Sequence, residues 1–161
     1  MNKKFYIYLI FFLSVNTAIS QNISFNELLK SRTYDFDKLE MFLTEKGFEY
    51  YKSTNDELSK AYHFSFKEDG VIVAYFSDWK DHDPNGEKYI SLQASKEIFE
   101  KIKKEGKRTG MKFIKKEDQY DGNGYFTTYE YLKYKISFYV SQGREESNKG
   151  KTIYEINVSS K

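Results

Sequence analysis

The sequence predicts an α+β fold in which a helix followed by four antiparallel strands is used twice, with the helices on one face of the sheet. Three observations lead there. The chain repeats itself. Moving the first passage along by 63 places sets Phe36 on Phe99, Leu39 on Ile102, Gly47 on Gly110 and Tyr50 on Phe113. The same shift sets Tyr62 on Tyr125, Val73 on Ile136 and Tyr75 on Phe138. The last strand fits better at 64 places, with Leu92 on Ile156 and Ser95 on Ser159. One extra residue in the preceding loop accounts for that slip. Within each copy the apolar period changes from helical spacing to alternation, as it does where a helix gives way to strands. Finally, 30 of the 161 residues are aromatic and none is cysteine, so an aromatic core must hold the fold without disulfides.

The elements follow in order. Ser24-Phe25-Asn26-Glu27 is a capping box, and a short helix through about Lys30 follows it. A second helix starts near Asp35, shows Phe36, Leu39, Phe42 and Leu43 on one face, and stops at Gly47. Strands are expected near 48–53, 61–67, 71–77 and 88–94, with a tight hairpin at Glu68-Asp69-Gly70. Ser95 caps the next helix, which turns Ile98, Phe99 and Ile102 inward and closes at Gly110. Strands near 111–116, 125–131, 134–141 and 152–159 finish the second copy. Alternation puts Phe48, Tyr50, Tyr62, Phe64, Phe66, Val73, Tyr75, Ile90 and Leu92 on the inner face. Met111, Phe113, Tyr125, Tyr129, Ile136, Phe138, Tyr154 and Ile156 echo them. Whether the two copies make one continuous sheet or two tilted halves is open at this level.

Residues 1–20 stand apart from this pattern. Lys3 and Lys4 precede an unbroken apolar stretch from Phe5 to Val15, and Ala18-Ile19-Ser20 supplies small residues for cleavage before Gln21. This reads as a secretory signal, too short for a membrane span. The chain then divides into a signal (1–20), a first repeat (21–94) and a second repeat (95–161). A periplasmic or extracellular protein is expected, and not a lipoprotein, because no cysteine is available to carry a lipid. The signal holds two of the 26 basic residues and no acidic one, which leaves 24 basic against 24 acidic. A neutral chain argues against nucleic acid as a partner, since binding it requires clustered cations. Lys101, Lys103, Lys104, Lys107 and Arg108 are interleaved with Glu97, Glu100 and Glu105, the pattern of a solvated helix face.

A helix–loop–helix, then four antiparallel strands, then the same again: in this order of elements the chain resembles β-lactamase inhibitory protein. It is also similar to small outer-membrane assembly proteins with the same half-fold, and to small secreted bacterial proteins. The resemblance covers the mature chain as an order of elements, without a shared residue motif. The disulfides associated with that inhibitor cannot form in this chain, which has no cysteine, and the likeness transfers no functional site.

Candidate chemistry is sparse. His63 lies on a strand opposite the aromatic face, where Ser65 and Ser91 also fall, and reads as a surface histidine; His82 lies in a loop. A catalytic triad would also need an orienting carboxylate and an oxyanion site, and neither is legible. Asp81, Asp83 and Asn85 alternate before Gly86 and Glu87, like the opening of a calcium loop. Leu92 stands where such a loop needs its closing glutamate, so calcium is a weak candidate and no other cofactor is expected. The remaining candidate is the open sheet face. By alternation it carries Tyr51, Phe76, Tyr89, Phe126 and Tyr139 as one patch, with Trp79 just past a strand end and His63, Ile72, Ile114 and Ile153 nearby. Aromatics among interspersed charges make a binding surface. The expected partner is another protein, in an inhibitor, immunity-like or envelope-assembly role. Stacked aromatics also suit a glycan or small ligand, and an enzyme is the third reading. Mass spectrometry of the exported protein should find its N-terminus at Gln21; an intact Met1 or a lipid adduct would contradict the signal assignment.

Overall fold

Short-range polar contacts start and stop the helices. The computed structural model describes residues 23–55, 60–66, 74–77, 89–120, 122–146 and 148–161. Helix α1 (Phe25–Ser31) opens on the expected box: the Glu27 N–H donates to Ser24 Oγ at 3.3 Å, and the Ser24 N–H donates to Glu27 Oε2 at 2.8 Å. Lys46 Nζ reaches Glu27 Oε1 at 2.6 Å and ties α1 to the end of α2 (Phe36–Glu45). Burial alone would raise the Glu27 pKa; the Lys46 ammonium and the Ser24 amide and hydroxyl outweigh it and hold the carboxyl below its ordinary value. Asp35 caps α2, and Ser95 caps α3 (Lys96–Arg108).

Both longer helices end in the same way. Gly47 and Gly110 take the left-handed conformation, with φ of 84° and 98°. The next residue bonds back five positions: Phe48 N–H to the Leu43 carbonyl at 2.9 Å, and Met111 N–H to the Gly106 carbonyl at 3.0 Å. This satisfies carbonyls that the helix leaves unpaired and turns Phe48 and Met111 into the core.

The strands are β1 (Glu49–Asn55), β2 (Lys60–Ser65), β3 (Ala74–Ser77), β4 (Tyr89–Ala94), β5 (Lys112–Asp118), β6 (Gly124–Tyr131), β7 (Tyr134–Gln142) and β8 (Thr152–Ser160). Among the described residues they form one antiparallel sheet in the order β1-β2-β3-β4-β8-β7-β6-β5. Two four-strand meanders therefore meet along β4 and β8, where Ile90 pairs with Val158, Ser91 with Asn157 and Leu92 with Ile156. This answers the question of one sheet or two. β1 and β5 are the outer edges. Each has an irregularity at the same place, Tyr51 between Tyr50 and Lys52, and Ile114 between Phe113 and Lys115. Such a bulge, with lysine beside it, discourages edge-to-edge pairing.

Aligning the two meanders on those bulges corrects the sequence register. Ser53 pairs with Tyr62 and Lys116 pairs with Thr127, so Tyr62 corresponds to Thr127 and not to Tyr125. On the last strand Ile90 corresponds to Ile156 and Leu92 to Val158, a shift of two residues that keeps the same faces. On β3 the change is one residue, which exchanges the faces. Position 76 lies between Tyr62 and Ile90, in the helix-side row, and position 75 lies between His63 and Ser91 on the other side. In register, positions 75 and 76 are therefore exchanged relative to the rows expected for them. Residues 71–76 are apolar at every position, so alternation carries no phase there. The expected hairpin at 68–70 lies outside the described residues.

The core lies between the sheet and the helices. Phe64, Ile90, Leu92, Ile136, Phe138, Ile156 and Val158 form the sheet side, each no more than 2% exposed. Phe36 of α2 packs on Tyr50, Tyr62 and Phe64, with ring centroids 4.3–6.3 Å apart. Phe99 of α3 packs on Phe138 and Tyr154 at 5.4 and 5.2 Å. Among the described residues no helix is long and apolar enough to cross a membrane. Because a Cβ at a left-handed position costs roughly 1–2 kcal/mol, Gly47→Ala and Gly110→Ala should each lower stability by that amount in urea denaturation. An unchanged midpoint in either variant would contradict the cap assignment.

Candidate binding face

Cross-strand pairing sorts the side of the sheet away from the helices into rows, because directly paired residues share a face. The central row reads Lys52, His63, Tyr75, Ser91, Asn157, Ser137, Thr128, Lys115. It crosses all eight strands. Lysines stand at both ends, and most of the residues between are short and polar. Strand spacing makes it roughly 34 Å long.

Its middle is buried. Ser91 and Thr128 are 2% exposed, Ser137 7% and His63 8%. Thr128 Oγ1 and Ser137 Oγ lie 3.4 Å apart and His63 Nε2 lies 3.1 Å from Thr54 Oγ1. At the junction of the two meanders, Ser91 Oγ and Asn157 Oδ1 are buried without a hydrogen-bond partner. Two adjacent unpaired polar atoms are costly to leave dry, roughly 1–3 kcal/mol each. They can accept a donor and offer a hydroxyl to an incoming group.

The aromatic residues flank this row instead of forming one patch. Phe126 and Tyr139 pair across β6 and β7 and stack at 5.1 Å with 26° between their planes. Lys115 Nζ lies 6.0 Å from the Phe126 ring and 2.6 Å from Glu117. Tyr89, opposite Ser77, stands in the row on the far side of the polar centre. Tyr51 is the extra residue of the β1 bulge, 68% exposed at the sheet edge, six strands from Phe126. Position 76 belongs by register to the helix-side row. Trp79, the loop residues Asp81, Asp83, Asn85 and Glu87, and His82 lie outside the described residues. No group of three or more metal-ligating side chains occurs among the described residues.

His63 sits in a different setting from the one expected. Its side chain is buried, not on the surface. Ser91 shares its face but stands two strands away, about 10 Å, with position 75 between them. That separation is too large for a nucleophile and its base to share a hydrogen bond. Sequence reasoning missed the central row itself. Ser91, Thr128, Ser137 and Asn157 are unremarkable one strand at a time, and only pairing across strands aligns them.

No protein-family profile, curated protein or solved structure matches this chain.

Burial, and then the charge of Lys52, lower the His63 pKa from its ordinary 6.5. The unfolded chain therefore takes up this proton at a higher pH than the folded one. Stability is unaffected by His63 above pH 6.5 and falls as the pH drops through that value toward the folded pKa. Urea midpoints compared between pH 8 and pH 5 should fall further for the wild type than for His63→Gln. Parallel losses would show that His63 is not desolvated.

Proposed function

We propose that this chain is an exported, non-enzymatic binding protein that holds another protein against the open face of its sheet. The observation that carries this reading is the buried polar centre of that face, with unpaired Ser91 Oγ and Asn157 Oδ1 between aromatic flanks. A protein surface supplies what such a face lacks: a polar group for the centre and apolar area for Tyr89, Phe126 and Tyr139. Interfaces commonly combine aromatic anchors with a few fixed hydrogen bonds. Residues 21–94 and 95–161 act in this reading as two copies of one helix-plus-four-strand unit, after removal of residues 1–20. An inhibitor, immunity-like or envelope-assembly role suits the resemblance in element order to β-lactamase inhibitory protein.

A second reading, a glycan or small hydroxyl-bearing ligand, is supported by the Phe126–Tyr139 stack beside Ser91 and Asn157. A sugar offers a C–H face to rings and hydroxyls that both donate and accept. Phe126→Ser with Tyr139→Ser leaves the helix-side core intact, so the double variant should keep its melting temperature. It should no longer retain the envelope or secreted protein that the wild type captures from the source cells. Unfolding of the variant would show that the pair belongs to the core. A folded variant that captures the same protein would exclude this face. Tyrosine fluorescence that changes with sugars in the wild type alone would favour the glycan.

A further inference from the structure

The helix side of the second meander carries a group of residues that the first lacks. Three lysines lie against its aromatic rings. Lys103 Nζ lies 5.6 Å from the Phe99 ring, 5.4 Å from Phe138 and 6.0 Å from Tyr129. Lys107 Nζ also lies 6.0 Å from Tyr129. Lys116 Nζ is 4.1 Å from the Tyr125 ring, and Lys116 pairs across the strands with Thr127, which pairs in turn with Phe138. These ring contacts bring lysines from α3 and from β5 to the helix-side rows that include Thr127. Thr127 is 6% exposed. None of the three lysines makes an ion pair with a described residue.

The corresponding residues of the first meander are Glu40, Thr44, Ser53 and Tyr62. There Tyr62 packs on Phe36 at 4.3 Å, and the helix brings an acid instead of a base. At one place, therefore, the second half has exchanged an aromatic for a small hydroxyl and gained three cations. Packing does not require this change, since the aromatic fills the site in the first half. Burial depresses the Lys103 pKa; Glu100 opposes the shift, and Lys107 and Lys116 add to it. A bound anion would relieve both the burial and the mutual repulsion.

We propose that Lys103, Lys107, Lys116 and the Thr127 hydroxyl form a binding site for a phosphate monoester group. Three compact ammonium charges match a tetrahedral dianion with three terminal oxygens better than they match a carboxylate, which offers one charge and two oxygens. The Thr127 hydroxyl donates to the innermost oxygen. The group can belong to a soluble ester or to a lipid headgroup, and the chemistry is the same.

Calorimetry on the full mature chain with inorganic phosphate, against chloride at equal ionic strength, tests the site. A saturable heat is expected with the wild type. Lys107→Thr with Lys116→Ser, which restores the first-meander residues on exposed positions, should weaken binding at least tenfold. Thr127→Val should weaken it several-fold, with unchanged circular dichroism in both. Cosedimentation with vesicles of phosphatidic acid, against pure phosphatidylcholine, separates the sources. Retention on phosphatidic acid alone, lost in the same variants, assigns the headgroup. Heat with phosphate and no retention assigns a soluble ester. Failure of both probes, or binding that the variants leave unchanged, overturns the proposal.

Discussion

The pairing of β4 with β8 is the constraint on which the rest of the structure depends. Each meander alone would be a four-stranded sheet with two open edges and a narrow apolar face. Joining them end to end removes one edge from each and extends the apolar rows across the junction. Ile90, Leu92, Ile156 and Val158 meet there, each at most 2% exposed. Burying side chains of this kind contributes roughly 1.5–3 kcal/mol each. Helix α3 lies over the junction, with Phe99 on Phe138 and Tyr154, so the longest helix among the described residues roofs the place where the halves meet. Helix α2 covers the outer part of the first meander in the same manner, through Phe36.

One consequence is an inequality between the two sides of the sheet. Helices, caps and aromatic packing gather on one side and settle the hydrophobic requirement there. The other side is left with short polar residues at its centre and aromatics to either side. The junction also sets Ser91 opposite Asn157, which brings the two unpaired buried polar atoms together. A sheet that served only to cover its helices would gain stability from apolar residues at these two places. Their polarity is what makes the open side a candidate for recognition.

A second consequence is that the halves can differ without disturbing the junction. The caps, the bulges and the central apolar rows correspond closely between them. The differences collect away from β4 and β8, around Thr127 on one half and Tyr62 on the other. Positions near the outer strands are free to change because the seam already supplies cooperative stability.

The elements and their ends were legible in the sequence, since they rest on local physics: the Ser24 and Ser95 caps, the two terminal glycines, the strand alternation and the one-face placement of the helices. The inner faces of β1, β2, β4, β6, β7 and β8 were legible too, because each alternates polar and apolar residues. Three features depended on tertiary structure. Whether β4 pairs with β8 is a choice between distant strands that no local pattern records. The face of β3 could not be read, because a run that is apolar throughout gives alternation nothing to mark. The open-face row and the lysine group of the second meander combine residues from separate elements, and only the cross-strand register and the seat of α3 bring them together. Sequence periodicity reports what one element presents to its surroundings; a site made by several elements exists only once their register is set.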